Sequence, residues 1–219
     1  MRKEITKDTF LTLLKDGMSL MVGGFMTVGT PHTLIDWVVE SKVQNLTLIC
    51  NDAGYEDKGV GKLITSGQVT TLLASHIGLN PYAGACMSQG TLTVHLIPQG
   101  TLAEQIRAHG AGLGGVLTPT GVDTVVEEHK QVLTLKGKRY LLEEALGADL
   151  ALISAHHTDM LGNLTYDKTA RNFNPVMASA AACVVAEVTQ LKDHLDPEII
   201  ITPHVFIDHV LIEEAAHGR

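Results

Sequence analysis

One recurring unit limits what this chain can fold into: a short apolar run, then a loop rich in glycine, proline and amide residues, then in several places a helix-forming segment. The runs are 18–22 (MSLMV), 45–50 (NLTLIC), 69–76 (VTTLLASH), 92–97 (LTVHLI), 149–156 (DLALISAH) and 198–203 (EIIITP). They are too short for typical helices and nearly continuous in apolar residues, the pattern of strands buried on both faces of a sheet. Helical patterns fall at 8–15, at 31–41 behind Thr30 as N-cap with Pro31 at the first helical position, and at 102–110, closing near Gly110. Residues 171–187 read as a helix running into a strand. Residues 130–142 alternate around Lys136-Gly137-Lys138, the pattern of an antiparallel hairpin.

Strand and helix signals that alternate in this way predict an α/β fold, a largely parallel layered sheet flanked by helices with a β-hairpin insertion. Composition agrees. Apolar residues make up 45% of the chain but aromatics only 4%, so the core must be built from Val, Leu, Ile, Ala and Met. The 219 residues suffice for one domain spanning 1–219, and no internal repeat or linker is evident.

The formal net charge is −8 and Lys and Arg form no run, so nucleic acid is not an expected partner and any anionic ligand must be bound locally. The leading MRKEITKDTF has no apolar core of a signal peptide, and no stretch approaches 18 apolar residues; a cytoplasmic protein without a membrane span is expected. Cys50, Cys86 and Cys183 are isolated, as reduced thiols would be. The eleven histidines are scattered, and the adjacent His156 and His157 should leave opposite faces of a strand, so no metal site is expected.

In open α/β sheets ligands bind beyond the carboxyl ends of the strands. The segments there are GGFMTVGTP (23–31), Asn51-Asp52-Ala53-Gly54, Ile77-Gly78-Leu79-Asn80-Pro81, Pro98-Gln99-Gly100 and the loop with Gly162-Asn163. Amides donate hydrogen bonds without carrying charge, which suits a carboxylate or a developing oxyanion, and glycines let backbone N–H groups come close. Plainer readings stand beside these. Gly23-Gly24 fits a tight strand-to-helix turn, and Asn51 fits an Asx turn; Gln99 between Pro and Gly is harder to explain as a turn. GAGLGG (110–115) resembles a phosphate cradle, but no helix clearly starts there and no Lys follows. Arg107 and Arg171 are candidate anion partners or ordinary surface ion pairs.

A nicotinamide site is unsupported, because the first loop is not G-x-G-x-x-G and Val43 or Gln44 stands where a ribose-binding acid belongs. There is no G-x-S-x-G, and Ser75, His76 and Ser154 form no evident triad. Spacing alone stops at an α/β domain for a small anionic metabolite or nucleotide.

The segment DGMSLMVGGFMTVGTP (16–31) resembles the first signature of the family I coenzyme A transferases. NLTLICNDAG, IPQGTLAEQIRAHGAGLGGVLTPTGVDT and GNLTYDKTARNFNP resemble later blocks of that family, in the expected order and across the whole chain. The resemblance is strongest to alpha subunits of the two-subunit acetate, acetoacetate and butyrate enzymes, toward which IGLNPYAG (77–84) also leans. It implies a substrate site between two halves and a ping-pong exchange through a glutamyl-CoA thioester. Coenzyme A would be a substrate, and no cofactor is implied.

The family's nucleophilic glutamate lies in a Ser-Glu-Asn-Gly motif that these 219 residues lack. The resemblance therefore implies a hetero-oligomer in which a beta subunit carries that motif. It also implies roles in this chain: Gln99 as an amide donor to the acyl or carboxylate oxygen, Asn51 to orient the carboxylate, and Gly24 and Phe25 as a wall with backbone donors. The sequence departs from the family at His109, Asp123 and His129, where relatives commonly carry Gly. Two other readings are a non-catalytic module that binds acyl-CoA or a carboxylate, and a sugar-phosphate isomerase-like enzyme of the same fold group, which would need a clustered acid/base set.

Overall fold

The apolar runs become the strands of one twisted sheet in the computed structural model, which describes residues 3–213. In chain order the elements are α1 (Lys7–Leu11), β1 (Ser19–Val22), α2 (His32–Ser41), β2 (Leu46–Cys50), α3 (Gly61–Thr65), β3 (Val69–Ala74), α4 (Pro81–Gln89), β4 (Thr93–Leu96) and α5 (Gln99–Gly110). There follow β5 (Gly115–Thr118), β6 (Val132–Leu135), β7 (Lys138–Glu144), β8 (Ala148–Thr158), β9 (Leu164–Thr165), α6 (Asn174–Met177), β10 (Ala181–Leu191) and β11 (His209–Ile212). The main sheet has the order β11-β10-β8-β1-β2-β3-β4, all parallel, with the short β9 antiparallel to β8.

Successive side chains of a strand point to opposite faces, and each face here has its own core. Leu20, Val22, Leu150, Leu152 and Val185 pack with Phe10, Leu34, Ile35, Val38 and Leu63 under α1 to α4. Met21, Ala151, Ile153, Val184 and Ala186 pack with Leu102, Ile106 and Met177 under α5 and α6. Burial on both faces explains why these strands read as unbroken apolar runs. No described helix is long and apolar enough to cross a membrane.

Several local expectations are corrected. The helix expected at 8–15 is shorter: it starts at Lys7, where Thr6 Oγ1 accepts from Thr9 N, and ends at Leu11. Helix α2 begins at His32 and Thr30 does not cap it. The buried Glu187 carboxylate of β10 does so instead, accepting from Thr33 N at 3.2 Å and Leu34 N at 2.9 Å. The run 198–203 is not a ladder strand: Pro197–Ile199 is a 3-10 turn, and Thr202 only bridges Leu164. The strand that closes the sheet is β11, whose short apolar core is flanked by Asp208 and Glu213.

Helices α3 and α4 were not expected; α4 is announced by Asn80, which caps it from Ala83 N, and by Pro81 at its first position. The expected hairpin is β6–β7, turning through Lys136 and Gly137 at positive φ, and β5 joins it to make a second, three-stranded antiparallel sheet. Two turns share one conformation: Phe25–Val28 after β1 and Tyr55–Lys58 after β2 each have a preceding and a following glycine at positive φ and an isolated antiparallel bridge. Only glycines and an aromatic are common to the two, too little to show in sequence.

Candidate active site at the carboxyl edge of the sheet

Strand β1 ends against a fixed partner. A Cβ on Gly23 would lie 1.8 Å from Asn174 Oδ1, so only glycine fits there. Asn174, fully buried, accepts from Ser154 N at 2.9 Å and donates to Gly29 O and Ala170 O at 2.8 Å each. It ties the Gly29 end of the first loop to β8 and to the turn before α6, and packs against Gly23 at the other end. Gly24 follows at φ +120°, against the Thr30 hydroxyl.

The loop then closes a tight turn, Phe25 N to Val28 O at 3.0 Å and Val28 N to Phe25 O at 2.9 Å. Its central residues, Met26 and Thr27, both have positive φ, 46° and 74°. That is the conformation of a type I′ turn, which Asn and Gly prefer and which costs other residues about 1–2 kcal/mol each. The turn is held open to solvent with Phe25 41% exposed.

The constraint on this turn comes from the next strand. Asp52, 5% exposed, accepts from Met26 N at 3.0 Å and Asn51 Nδ2 at 2.7 Å on Oδ2, and from Gly54 N at 2.9 Å on Oδ1. Asn51, 2% exposed, accepts from Gln99 Nε2 at 2.6 Å, while Ser75 Oγ donates to its backbone oxygen at 2.7 Å. Gln99 is the first residue of α5 and is exposed. A hydrogen-bonded line thus runs from the turn after β1, through the ends of β2, to the helix after β4.

Gln99 and Phe25 open on a groove of about 420 Å³ that also holds Arg107, Arg171, Phe173 and Ile201. Arg107 is engaged by Glu104 at 3.1 Å, whereas Arg171 makes no ion pair among the described residues. Cys50 lies beneath this site; burial and the nearby Asp52 carboxylate push its thiol well above its ordinary value, so it is a packing residue rather than a nucleophile.

The structure therefore brings together Gln99, Asn51, Gly24 and Phe25. Asn51 stands behind Gln99, with its side-chain oxygen already engaged, so in this conformation it faces a ligand only through Gln99. Asp52 and Asn174 were not singled out by the sequence. The one signal was their position, beside Asn51 and inside the GNLTYDKTARNFNP block.

Other loops serve structure. Asn80 caps α4, and Asn163 belongs to a turn built on Asp159, whose Oδ1 accepts from the N–H groups of Leu161, Gly162 and Asn163 at 3.0 Å each. These bonds hold the Asp159 carboxyl below its ordinary value despite burial. GAGLGG lies at the carboxyl end of α5, where exposed carbonyls repel a phosphate. His156 and His157 do not diverge as expected; their rings meet at a tilt of 53° with centroids 4.0 Å apart. Asp123 and His129 sit at φ 62° and 65°, the conformation that glycine adopts freely, and His109 lies over Gly147, where any Cβ would clash with its ring.

Comparison with known proteins gives the family and the fold. The sequence pattern of the family described as Coenzyme A transferase matches residues 3–213. The chain is 55% identical over 202 residues to an acetate CoA-transferase subunit alpha of Escherichia coli (strain K12), covering 91% of this chain and 92% of that protein. It is 46% identical over 215 residues to an acetoacetyl-CoA:acetate/butyrate CoA transferase alpha subunit of Clostridium acetobutylicum, covering 97% and 99%.

Among solved structures, an acyl-CoA transferase of Escherichia coli O157:H7 in a thioester complex with CoA superposes with a TM-score of 0.87 at 22% identity. The match covers 99% of this chain and 48% of that one, so this chain spans about half of it. Glutaconate coenzyme A-transferase of Acidaminococcus fermentans gives a TM-score of 0.83 at 15% identity, covering 96% of this chain. Both likenesses concern the fold.

Proposed function

Because the chain belongs to the coenzyme A transferase family, we propose that it is the alpha half of a two-subunit enzyme that moves CoA between short-chain acyl-CoA thioesters and free carboxylates of the acetate, acetoacetate and butyrate class. The observation that carries this reading is the exposed Gln99 amide, braced by Asn51 at the mouth of a groove walled by Phe25 and Arg171. A carboxylate glutamate from a beta subunit, in a Ser-Glu-Asn-Gly motif, would face that groove and act as nucleophile.

The exchange is then a relay of acyl transfers. The glutamate carboxylate attacks the thioester carbonyl and releases CoA thiolate, leaving an acyl-glutamyl anhydride. The thiolate attacks the glutamyl carbonyl and releases the carboxylate product, leaving a glutamyl-CoA thioester. A second carboxylate runs the sequence backwards. Each addition places negative charge on an oxygen, and a preorganised N–H donor stabilises that oxygen more than the starting carbonyl. Gln99 retains one Nε2 hydrogen beyond its bond to Asn51 for this purpose. Phe25 supplies the apolar wall for a short acyl chain, and Arg171 the positive charge for the free carboxylate.

Gln99→Ala in the complex with the beta subunit is expected to lower kcat/KM by about 10- to 1000-fold, the range for loss of one oxyanion donor. An unchanged value would remove Gln99 from the site. Binding of acyl-CoA by the wild-type complex without any turnover would instead mark the chain as a binding module.

A further inference from the structure

We propose that the Asp52 carboxylate is a positioning residue: it sets the hydrogen-bonding direction of the Asn51–Gln99 amide pair and fixes where the Gln99 donor meets the substrate. The inference rests on the assignment of Gln99 to the acyl-transfer site.

A primary amide has a donor end and an acceptor end of nearly equal size, so a chain of two amides can run in either direction. An ionised carboxylate has acceptors only. Asp52 Oδ1 is engaged by Gly54 N at 2.9 Å, and Oδ2 receives Met26 N at 3.0 Å and the Asn51 side chain at 2.7 Å. Asn51 must therefore turn its amino group toward Asp52. Its Oδ1 must then face Gln99 and Ser75 Oγ, the latter at 3.3 Å. Gln99 in turn must donate, and does so at 2.6 Å. With one Nε2 hydrogen fixed on Asn51, the other has a single direction. With the pair reversed, the amino group and the carbonyl of Gln99 would exchange places.

The frame around this relay is rigid. The backbone of 51–53 continues the ladder, with Ser75 N donating to Asn51 O at 2.9 Å and Ala53 N to His76 O at 3.0 Å. Asp52 and Asn51 are both buried, so water does not compete for these bonds. The same carboxylate accepts from Met26 N in the strained turn, which holds Oδ2 in place from a second side.

The test uses the two-subunit complex and four variants: Asp52→Ala, Asp52→Asn, Gln99→Ala and the Asp52→Ala/Gln99→Ala double. Asp52→Ala is expected to lower kcat by about 10- to 100-fold, with KM for the carboxylate within about 3-fold of wild type. In the Gln99→Ala background the same change is expected to cost less than about 3-fold, because residues acting as a unit are not additive. Asp52→Asn can keep an oxygen at the Oδ2 position for Asn51 and Met26 but then sets its amino group against the Gly54 N–H donor, so stability is expected to fall while kcat of the folded complex stays within about 5-fold of wild type.

Equal losses from Asp52→Ala in both backgrounds would overturn the inference, as would an Asp52→Asn variant as slow as Gln99→Ala. The Asp52→Asn comparison decides alone if Asp52→Ala does not fold. A wild-type complex without transferase turnover would overturn the functional reading and this inference together. A wild-type complex slowed by Gln99→Ala, with additive Asp52 losses, would overturn this inference alone.

Discussion

Gly23 illustrates how finely the site is set at the scale of single residues. Its missing side chain leaves room for Asn174, which ties the first loop to β8 and to the approach to α6. Gly23→Ala must displace a buried, triply bonded amide, and is expected to cost about 2–4 kcal/mol of stability, measured by urea unfolding. A loss below about 0.5 kcal/mol would show that Asn174 can move freely. At this scale the sequence is unevenly legible. Gln99 stood out because an amide between Pro98 and Gly100 has no turn role. Asp52 did not, because a carboxylate after Asn51 reads as a local turn, while its decisive partner, Met26 N, comes from another loop. The departures at Asp123 and His129 fall at positive φ, a backbone feature that sequence does not display.

At the scale of elements, local chemistry and tertiary support divide the work. The Phe25–Val28 turn has the geometry of Asn-Gly but the sequence Met26-Thr27. Met26→Asn/Thr27→Gly should relieve that strain and stabilise the fold by about 1–2 kcal/mol, raising Tm by roughly 2–8 °C in a thermal scan. A fall in Tm would show that these side chains pack better than their backbone is strained.

Helix α2 depends on Glu187 of β10, a carboxyl 2% exposed. Burial raises its pKa above the ordinary 4.5, outweighing the two helix N–H groups that pull it down. The folded state therefore holds the proton more tightly than the unfolded chain. The group's contribution is full below pH 4.5 and is lost as pH rises through the raised folded value. Glu187→Gln, neutral throughout, is expected to gain stability relative to wild type as pH rises from 4.5 toward neutrality, read from urea midpoints across that range. A constant difference would contradict the shift. The strands were legible because burial on both faces leaves continuous apolar runs. Helix α3 is not, being short and held by tertiary contacts such as Leu63 in the core, and α4 is marked in sequence only by its Asn80-Pro81 start. The run 198–203 was misread because apolar content alone does not distinguish a ladder strand from a covered loop.

Across the whole molecule, the site gathers from loops far apart in sequence because a parallel sheet carries the ends of β1, β2 and β4 to one edge. The fold class and the family were both legible in sequence, the first from alternation of strand and helix signals and the second from four ordered motif blocks. The hydrogen-bonded line Gln99–Asn51–Asp52 is not, because it depends on the register of β2 and β4 across the intervening β3.

That line ends in a donor beside Phe25 and Arg171, and under the proposed function the nucleophile comes from a second chain. The decisive measurement is CoA transfer from acetoacetyl-CoA to acetate, assayed for this chain alone and together with a chain carrying Ser-Glu-Asn-Gly. No turnover is expected from the chain alone and saturable turnover from the pair, with the CoA thioester trapped on the partner's glutamate. Turnover by this chain alone at the rate of the pair, or a thioester trapped on this chain, would contradict the division of the site between two subunits.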